Sequence, residues 1–383
     1  MSVDNFQYGH DLVGFVQLES TYGVAVKPTA STGFRASSIS MAPVVNRAIP
    51  SDRKNTRSRQ ERTEGKTSAT WGMSCLVRPS GSLGVAPDIG DLLAMVFGTE
   101  TVNASTSVVY TLGKDNSGDF GTIYRETSDI HEVVYGAVAT DFTISWSGSG
   151  YATIDINGVG KGFTRTGHTA ANGAGSTVAA LVVDDLDFLG LYSIVKIGSD
   201  DNSGAGHQVT AVVHSTETAT IEATHTWSDD DAVAPFLPTA TLTGSPLYGT
   251  VGSVSLDGGS TTTKVVSGSV SVTTGHDLLN EEFGDSNPTD VVMAGMREVT
   301  FSLDLIVKKD ETHLHSEFFR KIQKDLRITL GDTAGDIVRI DMDTCEIDPV
   351  GVEIPEEGMS RVSLSGVALA SSSGEDEISM TWI

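Results

Sequence analysis

Cysteine is nearly absent: Cys75 and Cys345 are the two in a chain of 383 residues. That is too few for a disulfide framework. Each stands in an apolar segment, MSCLV or MDTCEI, which predicts buried free thiols. Long hydrophobic runs are missing too. The longest, VAALVV at 178–183, is far too short to cross a bilayer. The opening MSVDNFQYGHDL lacks the basic start and apolar core of a secretory leader. The expectation is a protein made in a cytosol that stays soluble and has no membrane partner. Basic residues are scarce as well, 25 Lys and Arg against 50 Asp and Glu, for a formal charge of −25. Such a surface repels phosphate and excludes general nucleic-acid binding.

Catalytic and ligand-binding patterns are also lacking. GVGKG (158–162) has glycine after Lys161 where a phosphate loop needs a hydroxyl, so a turn at a strand end is expected. DNSGDFGTIYRE (115–126) spaces Asp115, Ser117, Asp119 and Glu126 like a calcium loop. Its glycine is one position late and its flanks read as strands, so a hairpin between VVYTL and IYRE is expected. His313 and His315 are two apart on a predicted helix and cannot share a metal. His207, His214 and His225 fall in different strands, and a zinc site there needs a convergence that spacing does not show. There is no G-x-S-x-G elbow and no C-x-x-C pair. No catalytic residue, cofactor or metal ligand is expected.

What is present is the texture of a β protein: Gly, Ser and Thr in quantity, and short alternating runs between turn clusters. VVSGSVSVTTG (265–275) puts Val266, Val270 and Val272 on one face and Ser267, Ser269, Ser271 and Thr273 on the other. REVTFSLDLIVKKD (297–310) sends Val299, Phe301, Leu303, Leu305 and Val307 one way and Thr300, Ser302 and Asp304 the other. A half-buried antiparallel strand requires this period of two. Val362 and Leu364, then Ile378, Met380 and Trp382, repeat it. Two stretches read as helix. DIGDLLAMVFG (88–98) opens on an acid and stops at Gly98. The longer DETHLHSEFFRKIQK (310–324) carries Leu314, Phe318 and Ile322 as a stripe to be docked.

Length suggests two units, and composition suggests where they meet. Residues 168–246 hold ten acids and one base, Lys196. Their short strands LYSIVKIG, HQVTAVVH and TATIEATHTW are joined by SDDNSGAG and SDDDAVAP. The expected organisation is a small β-barrel or sandwich at 168–246, inserted into a loop of a parent domain built from 1–167 and 247–383.

The order of segments resembles the tail tube (major tail) proteins of long-tailed bacteriophages. A basic run leads into EGKTSATWGMSCLVRPSG and then DIGDLLAMVFG. SVVYTL…TIYRE and YGAVATDFTISW follow. REVTFSLDLIVKK, ETHLHSEFFRKIQ, LRITLGD and the closing SRVSLSGVALASSSGEDEISMTWI complete the series. The likeness covers most of 35–165 and 250–383 and leaves out the insert. It implies a mainly β fold, an antiparallel β-sandwich tube domain with one packed α-helix, plus the small inserted β domain facing outward. It also implies hexameric rings of identical subunits stacked into a tube, part of the virion tail and assembled in the host cytoplasm. The lumen would hold a tape measure protein and later conduct DNA, which passes without specific binding. Tail terminator and distal tail proteins are the implied partners at the ends. The small polar faces at Ser267, Ser269, Ser271 and Thr273 and at Thr300, Ser302 and Asp304 suit a wet lumen. A capsid or decoration protein, or a carbohydrate- or calcium-binding adhesin, are the alternative readings.

One stretch opposes the overall acidity. SDRKNTRSRQERTEGK (51–66) carries Arg53, Lys54, Arg57, Arg59, Arg62 and Lys66 against three acids. The expectation is a contact with an acidic surface of a subunit in the next ring, for which 341–358, with seven acids and no base, is the candidate; a solvated hairpin tip that contacts nothing and a nucleic-acid site are the alternatives.

Overall fold

The computed structural model describes residues 12–49, 62–113, 119–127, 130–256, 261–306, 323–348, 352–353, 359–371, 374 and 376–383. β1 (Leu12–Leu18) and the short β2 (Gly33–Phe34) precede the long hairpin of β3 (Ser38–Ala48) and β4 (Thr63–Leu76). The helix α1 (Gly90–Phe97) runs directly into β5 (Gly98–Asn103), followed by β6 (Ser107–Leu112) and β7 (Gly121–Thr127). The longest strands come next, β8 (Ile130–Ser147) and β9 (Thr153–Thr166). Six strands then form a sheet of their own: β10 (Thr169–Ala170), β11 (Gly175–Val182), β12 (Ile194–Ile197), β13 (His207–Val213), β14 (Thr218–Trp227) and β15 (Ala232–Pro235).

The chain returns to the large sheet with β16 (Gly252–Leu256), β17 (Thr261–Thr263) and β18 (Val265–Thr273). A separate small hairpin, β19 (His276–Leu278) and β20 (Val291–Met293), interrupts before β21 (Glu298–Ile306). β22 (Lys324–Leu330), β23 (Val338–Ile347), β24 (Val352–Glu353), β25 (Arg361–Ala368) and β26 (Ser379–Trp382) complete the fold. The fold is mainly β, and the ladders are antiparallel.

Two ladders make a sandwich-like arrangement. One runs β3–β4–β9–β8–β18–β21–β25. The other runs β5–β6–β26–β23–β22–β16–β17. β23 joins them, pairing β26 through its first half and β25 through its second. β8 also changes neighbour midway: residues 130–137 pair β7, while 141–147 pair β18. Apolar side chains from both ladders enter one core, among them Phe142, Val270, Phe301 and Leu364 from the first and Tyr110, Ile340, Met380 and Trp382 from the second. Each buried side chain of this size contributes about 1.5–3 kcal/mol.

α1 seals one part of that core. All its residues except Asp91 are buried, and Phe97 packs edge-on against Phe142 with ring centroids 5.5 Å apart. Gly98 ends it in the left-handed region (φ 82°), its N–H returning to the Ala94 carbonyl. Asp88 does not cap the helix; its carboxylate accepts from the backbone and hydroxyl of Thr243. The longer helix expected at 310–324 lies largely outside the described residues.

Two local expectations are corrected. GVGKG is the middle of β9 rather than a turn. Its glycines answer crowding: a Cβ on Gly158 would stand 2.0 Å from the Val138 carbonyl oxygen and 2.5 Å from the Trp71 ring. The segments VVYTL and IYRE are not hairpin partners. β6 pairs β5 and β26, whereas β7 pairs β1 and β8. The hairpin reading assumed local pairing, but β6 closes a hairpin with the strand before it.

The six-stranded sheet has its own apolar cluster, including Leu181, Val195, Val209, Ile221 and Val233. It meets the large sheet at a third cluster, where Ile194 and Leu237 pack with Phe15, Tyr124 and Val133. Gln208 reinforces this junction by donating to the Ala25 carbonyl at 3.3 Å.

Candidate functional site

The outward face of the first ladder is polar across its width. On β18 Val270 and Val272 are buried, while Ser267, Ser269, Ser271 and Thr273 turn away from the core. On β21 Val299, Phe301, Leu303 and Leu305 are buried, and Thr300, Ser302 and Asp304 turn out. Register places Ser271 opposite Thr300, Ser269 opposite Ser302 and Ser267 opposite Asp304. The same face continues on β8 with Asp141, Thr143, Ser145 and Ser147, and on β9 with Thr153, Asp155 and Asn157. Ser363 and Ser365 of β25 extend it on the far side. The seven sequence-nominated positions thus share one surface with residues that the sequence reading did not nominate. Their periodicity was equally visible in TDFTISW; what was missing was the register that lines them up.

Acids outnumber bases there. Asp141, Asp155, Glu298 and Asp304 share the face with Arg361, which reaches Asp304 at 3.2 Å. Hydroxyls otherwise bond along the surface, as Thr273 does to Asp141 at 3.2 Å.

This ladder ends at β3, which pairs β4 and has no second partner strand among the described residues. The open border is partly guarded. Pro43 offers no N–H, and the Ile39 carbonyl accepts from the Arg125 guanidinium at 2.6 Å. Beyond Met41 every described β3 residue is exposed or half-exposed, as are residues 63–68 of β4. The hairpin therefore leaves the body as a two-stranded arm whose described residues are exposed or half-exposed on both faces. Its base is tied by Asn287, which donates to the Thr67 hydroxyl at 2.9 Å. In sequence the basic run lies between β3 and β4, and its last residues open β4. Arg62 is exposed. The Lys66 ammonium is shut from solvent with no hydrogen-bond partner among the described residues. Arg53, Lys54, Arg57 and Arg59 lie outside the described residues. In the acidic segment, Asp341 is engaged by Arg327 and Arg339, whereas Asp343 and Glu346 are exposed on β23. Phe283 and Met296 present fully exposed apolar side chains nearby in sequence to β19 and β20.

Several charged groups are sequestered. Glu132 is almost wholly buried and accepts from Arg125 across to β7 and from Arg165 across to β9. Glu19 accepts from Thr122 (2.6 Å), Gly23 (2.7 Å) and Gly136 (2.9 Å), yet burial still holds its pKa above the ordinary value. Burial, reinforced by Glu100 and Asp119, pushes Asp91 up to about 6. Both cysteines are free and buried, their thiols pushed up to about 12, mainly by burial.

The histidines of the small sheet separate into two sets. His214 lies beside Asp187, at 3.6 Å. His207 and His225 come together, ring centroids 3.9 Å apart, and both face Asp200. From sequence, the SDDNSG turn just before His207 reads as a solvated loop tip rather than a metal site, which leaves Asp200 unconnected to the histidines.

No helix among the described residues is long and apolar enough to cross a membrane. No curated protein matches the chain. A family model described as phage tail tube protein matches residues 12–368, nearly the whole length. The chain belongs to the phage tail tube protein family, a structural component of the virion tail.

Proposed function

We propose that this chain forms hexameric rings that stack into the tail tube, with the polar face of β8, β18 and β21 turned to the lumen. The observation that carries the reading is one sheet with an apolar back, a hydroxyl-rich front and a border at β3 that has no second partner strand among the described residues. Closing such sheets edge to edge around an axis removes the open borders and leaves the polar front wet. An excess of carboxylates over bases on that front lets DNA slide, because binding to the backbone comes from phosphate-neutralising cations. The same bore holds the tape measure protein during assembly, and terminator and distal tail proteins close the ends. Residues 168–246 form an inserted domain on the outside of the tube. Its junction involves Tyr124 and Val133, on β7 and the first half of β8, away from residues 141–147.

The arm reaches the adjacent ring. A bare two-stranded hairpin is marginal in water, so its exposed faces need a partner, and the basic run between its strands suits an acidic one. Asp343, Glu346 and Asp348 are the exposed acids among the described residues of the segment nominated from sequence. Electron microscopy of negatively stained protein tests the assembly: rings and hollow rods are expected, and compact monomers at every salt and concentration reject it. Shells or capsid-bound knobs would select the decoration-protein reading. Reversing Arg57, Arg59 and Arg62 to Glu abolishes rods while leaving a folded subunit. Rods of normal length from that variant remove the arm contact from the scheme.

A further inference from the structure

In the six-stranded sheet, the Asp200 Oδ2 atom stands 3.5 Å from His207 Nε2 and 3.5 Å from His225 Nδ1. These separations are long for hydrogen bonds, which fall at about 2.7–3.2 Å. They match the edge of a coordination tetrahedron: ligands about 2.0–2.1 Å from a zinc ion stand about 3.4 Å from one another. The three ligand atoms all lie within 4.8 Å of each other. None of the His207 side chain reaches solvent, yet neither of its ring nitrogens has a hydrogen-bond partner among the described residues. Burying an imidazole unsatisfied is costly, and a cation at the centre supplies the missing partner of Nε2.

We propose that Asp200, His207 and His225 bind one divalent transition-metal ion of the zinc class, with the remaining position open to water. Two imidazoles and one carboxylate are a borderline donor set, suited to zinc or cobalt. Calcium and magnesium take oxygen ligands instead.

The surroundings hold the carboxylate in place. Asp200 Oδ1 accepts the Asn202 N–H at 2.9 Å, which leaves Oδ2 for the ion. The Asp200 backbone is bridged to Ile197. Asn202 and Ser203 follow in the left-handed region (φ 52° and 57°), and the Asn202 amide donates to the Gly206 carbonyl at 3.0 Å. Asp200 keeps 42% of its side chain exposed, which gives the ion a route in and water a place on it. The site would staple the loop between β12 and β13 to β14. Lys27 binds the same loop at Gly206 and pairs with Glu222, so the staple lies beside the junction with the large sheet.

Full-length protein stripped with EDTA and desalted is titrated with Co2+ and followed by visible absorption. One equivalent is expected to develop the spectrum of a four- or five-coordinate ion, and Zn2+ to displace it. Zn2+ is expected to raise the melting midpoint, and Mg2+ and Ca2+ to leave it unchanged. Asp200→Asn and His225→Gln, whose side chains are partly exposed, should keep the circular dichroism spectrum and weaken Zn2+ binding at least about tenfold. His214→Gln should leave binding unchanged. Wild-type protein without saturable Co2+ binding, or equal affinity in Asp200→Asn and His225→Gln, overturns the proposal.

Discussion

The hydroxyls of Thr143 and Ser271 hydrogen-bond at 2.9 Å, joining β8 to β18 on the outer surface of the first ladder. Positions around this pair report which way that surface faces in an assembly. Ser269→Cys places a thiol beside it, against a quiet background, because Cys75 and Cys345 are buried with raised pKa values. In free subunits a small maleimide and a protein-sized maleimide should both label it. In rods the small reagent should still react and the large one should be excluded. Equal labelling of rods and subunits by the large reagent would place this face outside the bore.

Glu132 separates two kinds of ion pair. Its carboxylate is buried between Arg125 and Arg165, so removing it strands Arg125, which is itself largely covered. Glu132→Ala should cost about 3–5 kcal/mol. Arg165 is mostly exposed, and Arg165→Ala should cost less than about 1 kcal/mol. Urea unfolding of the subunit measures both; similar losses for the two variants would contradict the account.

Asp91 makes stability fall as pH rises. Its folded-state pKa of about 6 lies above the ordinary aspartate value of 3.8, because burial, Glu100 and Asp119 disfavour the charge. The protonated form is the one the fold prefers. Its contribution is complete below about pH 4 and is lost as pH climbs through about 6. Asp91→Asn should therefore stabilise the subunit at pH 7 by about 1–2 kcal/mol, the partial exposure reducing the full value. The gain should shrink towards pH 4. Melting curves across pH 4–7 check the slope, and a gain that grows on acidification has the wrong sign.

Alternation was the legible part of this chain. Val299 to Leu305 and Val362 to Leu364 are buried in the order their spacing requires, because a strand with one packed face leaves no other choice. Gly98 as a helix stop was equally readable, since its left-handed backbone suits glycine. Partners far apart in the chain were not. β6 meets β26 across more than 260 residues, and no local signal in VVYTL says so. GVGKG looked like a turn because crowding by Trp71 and Val138 is a property of neighbouring strands. Asp200, His207 and His225 converge only after β12, β13 and β14 have paired, so spacing alone could not bring them together.

β8 and β23 each hand over from one neighbour to another partway along. Neither the two layers, nor the first layer and β7, can slide apart without dragging a strand shared by both. Tension applied to the projecting arm enters β4 and passes lengthwise into β9 and β8, loading many ladder bonds at once instead of peeling them singly. The subunit is therefore built to yield last along the axis of its arm.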